Sequence, residues 1–117
     1  MSATPHVFDA TEANFETDVI QASLNTPVLV DFWAAWCAPC RAIAPTIEAL
    51  SKELGGKILI GKMDIMANPQ TPMKYGVTAI PTILLFKGGK DVGRLIGGGK
   101  TAGDFKKEFS KAFGVAV

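Results

Sequence analysis

The sequence predicts an α/β fold, a mixed β-sheet of about five strands flanked by four helices in the order βαβαβαββα. Two nearly continuous apolar runs, Val28 to Phe32 and Lys57 to Met63, are typical of central strands covered on both faces. A helical pattern connects these runs, which makes them parallel neighbours, whereas the Gly88-Gly89 pair predicts an antiparallel hairpin. The sheet should therefore be mixed, with helices on both faces.

The chain has 117 residues, of which 48% are apolar. This length suits a single domain spanning residues 1–117, with a flexible N-terminus over about residues 1–5. The 12 basic and 11 acidic residues nearly cancel, so the surface lacks the basic excess that nucleic acid selects. The N-terminal segment lacks the features of a secretory signal, and no apolar run is long enough to cross a bilayer. We therefore expect a cytoplasmic monomer with no nucleic-acid or membrane partner.

The first two elements are a short strand and a helix. Pro5 to Phe8 can form the strand, and Thr11 and Asn14 are both candidates for the helix cap. The apolar side of this helix recurs at helical spacing through Phe15, Val19, Ile20 and Leu24.

The second helix is predicted to begin near Cys37 and to end at Gly55-Gly56, where glycine can adopt the left-handed cap conformation. Pro45 lies inside this helix, where it removes one backbone donor and crowds the preceding turn, so we expect one kinked helix rather than two. Its buried stripe consists of Ile43, Ile47, Leu50 and Leu54.

The third helix is short. Asn68 is predicted to cap it, with Pro69 at its first position, and Gly76 to close it after Met73 and Tyr75.

The C-terminal elements are a hairpin and a fourth helix. Strands from Thr82 to Phe86 and from Asp91 to Ile96 flank the two-glycine turn. Thr101 and Asp104 are predicted to form a capping box. The helix that follows would bury Phe105, Phe109 and Phe113.

The only two cysteines, Cys37 and Cys40, stand where a buried strand ends and a helix begins, a usual position of sites in open α/β sheets. Residues three apart in a helix have Cα atoms about 5 Å apart, within the range of a disulfide, so the pair can close and open with little backbone movement. Cys37 faces the positive end of the helix, which favours a thiolate and makes it the expected nucleophile. Cys40, one turn further in, should be more buried, which suits the resolving role.

Three other interpretations of the pair are less favourable. As a structural crosslink, the disulfide would close a loop of about four residues, for which chain entropy gives about 2 kcal/mol against about 4.7 kcal/mol for a loop of roughly 100. A zinc site needs further ligands, and the chain has no third cysteine and only His6. A Cys-His hydrolase would depend on that same histidine, which has no assigned acid partner. We therefore expect neither a metal nor a bound cofactor.

The segment from Val28 to Cys40, VLVDFWAAWCAPC, resembles the active-site region of the thioredoxin family, and the resemblance extends over nearly the whole chain. The chain departs from the family pattern at Ala38, where glycine is usual, at Met66, where an acidic residue is common, and in the triple glycine of residues 97–99. None of these differences removes a reacting group, so we expect them to affect the tuning of the redox pair and its preference for partners. Further matches stand at Pro45, Lys62, Tyr75-Gly76-Val77, Ile80-Pro81-Thr82 and Gly97.

The resemblance implies that Asp31 is a buried acid that takes the proton from Cys40 while a mixed disulfide is resolved. An ionised carboxylate is unfavourable inside an apolar run, so the pKa of Asp31 should rise toward neutrality. Lys62, on the neighbouring strand, is counted with it among the catalytic residues. A merely structural buried pair between Asp31 and Lys62 is the alternative.

Sequence alone favours a trans bond before Pro81, because only about 5 to 6% of such bonds are cis. In the family, however, this proline is cis and lies against the cysteine pair. The resemblance implies that the backbone before it pairs with an extended substrate segment. The expected apolar docking surface comprises Trp36, Ala79, Ile80 and Gly97 together with Pro81. The residues expected to support the site are Trp33, Ala38, Pro39 and Pro45.

The predicted function is that of a thiol-disulfide oxidoreductase, which reduces protein disulfides while a Cys37–Cys40 disulfide closes. By resemblance, a thioredoxin reductase would restore the dithiol with NADPH, which this chain uses only indirectly. Disulfide-forming oxidants and isomerases share the fold, but Ala38-Pro39 between the cysteines is nearer the reducing pattern. A docking or chaperone-like subunit is the alternative from another class.

Overall fold

The computed structural model describes residues 6–114, which confirm the predicted α/β class and element order. The predicted flexible N-terminus, residues 1–5, lies outside the described residues, so the assignment of residues 1–117 to one domain stays a prediction. The strands are β1 (Val7–Asp9), β2 (Val28–Trp33), β3 (Leu59–Asp64), β4 (Thr82–Lys87) and β5 (Lys90–Ile96). The helices are α1 (Ala38–Leu54), α2 (Gln70–Lys74) and α3 (Ala102–Phe113), preceded by a helical segment made of Glu16–Gln21 and Ala22–Leu24.

The five strands form one mixed sheet in the order β1-β3-β2-β4-β5. Strand β3 pairs parallel with β1 and β2, and β4 pairs antiparallel with β2 and β5. Gly88 and Gly89 make the predicted β4–β5 turn with φ angles of 63° and 82°, which favour glycine. At the centre, Asp31 of β2 lies opposite Lys62 on β3 and Ile83 on β4. Strand β2 is therefore the central strand, and the loop that follows it begins at the middle of the sheet.

Each face of the sheet is covered by its own apolar cluster. Successive β2 side chains point to opposite faces, so Leu29 joins one cluster while Val28 and Val30 join the other. Burial of a large apolar side chain contributes about 1.5–3 kcal/mol, so both faces stabilise the sheet. The helical members of the first cluster include Ile43, Ile47, Leu50, Leu54, Phe105, Phe109 and Phe113, and those of the second include Phe15 and Val19.

The first predicted helix is present, but its pitch changes along its length. Glu16–Gln21 form a π-helical turn, and Ala22–Leu24 form a 3₁₀ turn. Thr11 and Asn14 act together before it, since each backbone N–H donates to the other's side chain, at 2.7 and 3.1 Å. Leu24, which the periodicity placed on the apolar side, is exposed instead. The tighter last turn explains this correction, because side chains three residues apart eclipse there rather than following α-helical spacing.

Helices α1 and α3 begin as predicted. Cys37 caps α1, which continues through Pro45 as one helix and is followed by Gly55 in the left-handed conformation with φ of 53°. Thr101 and Asp104 form the capping box of α3. No helix within residues 6–114 is long and apolar enough to span a membrane.

Helix α2 corrects the prediction about its cap. Pro69 occupies the N-cap position, and the Asn68 side chain makes no capping hydrogen bond to the helix. The acceptor is instead Glu12 Oε2, to which the N–H groups of Gln70 and Thr71 donate at 2.5 and 3.0 Å. Because Glu12 precedes Gln70 by 58 residues, no local sequence pattern contains this cap.

Candidate functional site

The two cysteines form a disulfide immediately after the carboxyl end of β2. The Cys37 N–H donates to the Ala34 carbonyl at 3.1 Å, which closes a tight turn between β2 and α1. The Cα atoms of Cys37 and Cys40 lie 5.3 Å apart, as the helical spacing predicts. The pair is thus held between the centre of the sheet and the first turn of α1.

The Cys37 sulfur occupies the place of a helix cap. The Cys40 backbone N–H donates to Cys37 Sγ at 3.2 Å, where a serine or aspartate oxygen stands in an ordinary N-cap. The first turn of α1 contains no acidic residue. Since the N-terminal end of a helix favours negative charge, a Cys37 thiolate would be stabilised here when the disulfide is reduced.

The cysteines are equally buried, each with 4% exposure, which corrects the prediction that Cys40 would be the more buried. The disulfide places both side chains in one small cluster with Ala34, against Trp33 and Ile80. Position along α1, rather than burial, therefore distinguishes them: Cys37 is the N-cap and Cys40 the third helical residue.

Asp31 lies in the middle of β2 with its carboxylate unpartnered. Its exposure is 1%, and neither carboxylate oxygen has a hydrogen-bond partner among residues 6–114. Burial raises the pKa of Asp31 from 3.8 to about 6, and the positive charge of Lys62 acts in the opposite direction. The expected rise is confirmed, so this carboxyl can exchange a proton close to neutral pH.

Lys62 reaches the site through its charge. It is paired with Asp31 in the β2–β3 register, and its Nζ lies 5.7 Å from the centre of the Trp33 ring, a cation–π contact. Trp33 itself is half-buried, and its Nε1 has no hydrogen-bond partner in the described part of the chain. Asp31, Lys62 and Trp33 therefore lie close together on β2 and β3, the first and last of them on the strand that precedes the cysteines.

An apolar groove lies beside the disulfide. Trp36 forms one side of it with 65% of its surface exposed, and Ala79 and Ile80 line it from the segment before β4. The Ile80–Pro81 peptide bond is cis, as the resemblance implies, and the Gly97 N–H donates to the Pro81 carbonyl at 2.8 Å. The five predicted docking residues are therefore brought to one side of the molecule.

The groove is larger than the predicted docking surface. Its volume is about 720 Å³, and α2 with its flanking residues supplies a wall that the sequence analysis missed. A surface helix as short as α2 has too few turns to display a recognisable apolar stripe, so no sequence signal marked this wall. The additional residues are Ile65, Pro69, Pro72, Met73 and Val77.

The supporting residues lie along the first half of α1. Ala38 and Pro39 are exposed in its first turn, and Pro45 is exposed further along. Pro39 packs against the triple-glycine segment, because a Cβ added to Gly98 would lie only 2.9 Å from the Pro39 Cβ. The absence of a side chain at Gly98 therefore permits the close approach of this segment to the cysteine loop.

Comparison with known proteins decides the family. The model of the thioredoxin family matches residues 6–111. This chain belongs to the thioredoxin family. It is 46% identical over 97 residues to the thioredoxin of Synechocystis sp. and 50% identical over 97 residues to thioredoxin C-2 of Corynebacterium nephridii, each covering 83% of this chain and 86% of the relative. The thioredoxin of Pseudomonas aeruginosa is 48% identical over 84 residues, 72% of this chain and 76% of its own.

Membership of the thioredoxin family gives the disulfide its function. The chain is a thiol-disulfide oxidoreductase with disulfide reductase activity, and Cys37–Cys40 is its redox-active disulfide. Within residues 6–114 there is no group of three or more His, Cys, Asp or Glu side chains that could hold a metal ion.

Proposed function

We propose that Cys37 is the nucleophile and Cys40 the resolving thiol. In the reduced chain the Cys37 thiolate attacks one sulfur of a protein disulfide, whose S–S bond breaks and whose other sulfur leaves as a thiolate. Cys40 then loses its proton and attacks the Cys37 sulfur, which closes the Cys37–Cys40 bond and releases the second substrate thiolate. Two electrons pass to the substrate. The single observation that supports this assignment is the position of Cys37 Sγ at the cap of α1.

Asp31 is assigned to proton removal from Cys40. With its pKa raised to about 6 by burial, Asp31 is mostly ionised at neutral pH and can accept a proton. Neither of its oxygens is occupied by a hydrogen bond within residues 6–114. Lys62 acts on Asp31 through its charge, which favours the ionised carboxylate. This arrangement supports a base more than a structural buried pair, in which the carboxylate would be expected to be hydrogen-bonded.

Substrate docking is assigned to the groove beside the disulfide. An extended segment of a protein substrate would pair with the backbone at Ala79 and Ile80 and contact the exposed ring of Trp36. Main-chain pairing is independent of side-chain identity, which suits a reductase with many substrates. Pro81 and Gly97 complete the docking surface, and Trp33, Ala38, Pro39 and Pro45 support it.

The reductant and the location are proposals supported by the chemistry of the disulfide and by the family. Two electrons leave the chain in each turnover, so a two-electron reductant must restore the dithiol. We propose that thioredoxin reductase does so with NADPH, and that the chain works in the cytoplasm as a monomer without nucleic acid or membrane partners.

NADPH-coupled reduction of insulin disulfides with a thioredoxin reductase tests the function. The expected result is sustained NADPH oxidation that depends on this chain and stops when both cysteines are replaced by serine. A folded, fully reduced chain that gives no turnover and does not react with insulin directly would overturn the proposal. A binding or chaperone activity that is undiminished in the double-serine variant, although NADPH oxidation stops, would instead favour the docking or chaperone-like role.

A further inference from the structure

Glu12 connects the N-terminal segment to the start of α2. Its Oε2 accepts hydrogen bonds from the N–H groups of Gln70 and Thr71 at 2.5 and 3.0 Å. Helix α2 has five residues, too few to form stably without tertiary contacts, and no side chain near it in sequence caps it. Its first N–H groups therefore depend on this remote carboxylate for a partner.

The backbone of Glu12 makes a second connection to the same region. The Glu12 N–H donates to Asn68 Oδ1 at 3.0 Å, and Asn68 Nδ2 donates to the Asp64 carbonyl at the end of β3, at 3.1 Å. Asn68 is almost fully buried, so this amide is a fixed bridge rather than a surface contact. Glu12 thus fixes α2 relative to β3 through its side chain and its backbone together.

Helix α2 contributes to the wall of the groove that Trp36 also lines. Pro72 and Met73 of α2, with Pro69 before it, line the same groove as Trp36 and Ile80. Glu12 does not line this groove. Any effect of Glu12 on docking must therefore pass through the position of α2.

We propose that Glu12 is a positioning residue for substrate recognition: by capping α2 it holds the groove wall where a protein disulfide can dock. This inference rests on the proposed docking of substrates in that groove. Loss of the cap would let α2 sample other positions. The apparent association constant for substrate would then fall in proportion to the fraction of molecules whose groove wall is still in place. The thiol chemistry at Cys37 would be unaffected.

The test measures single-turnover rates of the chemically reduced chain with two disulfides, insulin and the small compound dithionitrobenzoate. For Glu12→Ala we expect the second-order rate constant with insulin to fall about threefold to tenfold, and that with dithionitrobenzoate to stay within about twofold. Glu12→Gln, which keeps the length and one acceptor oxygen, should recover most of the rate with insulin. Glu48→Ala is the matched control, because Glu48 is an exposed glutamate that lies inside α1 rather than at a helix start.

The outcomes separate this inference from the proposed function. If the wild-type chain does not reduce insulin, the proposed function fails; if it does and Glu12→Ala equals it, only the positioning role fails. Equal losses with both disulfides, or no recovery in Glu12→Gln, would also overturn the inference. Should Glu12→Ala not fold, Glu12→Asp takes its place, since it keeps the charge but shortens the reach, and an unchanged rate with insulin then counts against the inference.

Discussion

Helices α1 and α3 begin with the same N-cap geometry, but the two caps serve different purposes. At α3, the Thr101 hydroxyl accepts from the Asp104 N–H at 3.2 Å, and the Asp104 carboxylate accepts from the Thr101 N–H at 2.8 Å. At α1, Cys37 Sγ accepts from the Cys40 N–H at 3.2 Å, and no carboxylate stands in the first turn. One helix start holds a permanent anion, whereas the other holds a sulfur that becomes anionic only when the disulfide is reduced.

The electrostatic consequence is visible at Asp104. Hydrogen bonds from the Thr101 backbone and side chain lower the pKa of Asp104, so it remains charged and the cap stays closed. Asp31 shows the opposite effect, because burial without a partner raises its pKa. A hydrogen-bonded carboxylate at a helix start thus stays charged, whereas the buried Asp31 carboxylate, which has no hydrogen-bond partner within residues 6–114, has a raised pKa.

The largest expected effect comes from removing either sulfur at α1. Cys37→Ser should abolish reaction with protein disulfides, because no nucleophile remains at the helix start. Cys40→Ser should still attack and should accumulate a covalent mixed disulfide, visible on non-reducing gels. A trapped adduct formed only by the variant that lacks Cys37 would reverse the two roles.

The second effect concerns stability at Asp31 and has a defined pH window. The unfolded carboxyl ionises with a pKa near 4 and the folded one near 6, so the folded state holds its proton more tightly and loses stability as pH rises between these values. The loss amounts to about 3 kcal/mol above this window. The free energy of unfolding of Asp31→Asn, minus that of wild type, should rise by most of this amount, about 2 kcal/mol, between about pH 4 and pH 7. Urea unfolding of the oxidised proteins at both pH values measures it.

The same substitution separates a base from a structural residue. Resolution of a preformed mixed disulfide should slow in Asp31→Asn, most of all at about pH 6 to 7, where at least half of Asp31 is ionised and the Cys40 thiol still needs a base. Stopped-flow measurement of product release checks this. Parallel pH profiles for variant and wild type would leave Asp31 a structural role only.

A smaller effect is expected at the start of α3. Thr101→Ala removes the capping hydroxyl and should lower the free energy of unfolding by about 1 kcal/mol. Its rate with dithionitrobenzoate should equal that of wild type, because the cap of α3 does not take part in the redox chemistry. A change in that rate would mean that the two helix starts are coupled.

The smallest effect is expected at Ala38, the first residue of α1. Ala38→Gly should lower the free energy of unfolding by about 0.5 to 1 kcal/mol, because glycine is the poorer helix former and gains freedom in the unfolded chain. Even if the whole change fell on one redox form, the potential would move by only about 10 to 20 mV. Equilibration with glutathione buffers measures the potential. A shift beyond about 40 mV would show that Ala38 acts on the thiols through the geometry of the motif.

The helix starts also show which features a sequence can predict. Thr101 and Asp104 are three residues apart and were predicted as a box, because both partners lie in one turn. The cap of α2 was assigned wrongly to Asn68, because its true acceptor, Glu12, arrives only through the tertiary fold. Burial of Asp31 was predictable from the apolar run around it, and its raised pKa followed.

Other features depended on contacts that no local pattern records. The equal burial of Cys37 and Cys40 results from their joining in one cluster, whereas the prediction considered each on its own turn of helix. Prediction of the groove wall that Pro72 and Met73 form would have required the position of α2. That position depends on a hydrogen bond to Glu12, which is remote in sequence. Apolar spacing likewise indicated a helix before β2 but did not distinguish its π and 3₁₀ pitches.

The central position of β2 affects which parts of the molecule open locally most rarely. Strand β2 is hydrogen-bonded on both sides and buried on both faces, so its amide protons should be among the last to exchange with solvent. Helix α2, short and tied by a few side-chain bonds, should open far more often. Cys37, four residues after β2, therefore follows a strand that should open rarely, whereas α2, which lines the groove beside the site, should open more often. Because opening of α2 displaces one wall of the groove, the Glu12 cap would limit how often that wall is lost, while β2 keeps the neighbouring sulfur in place.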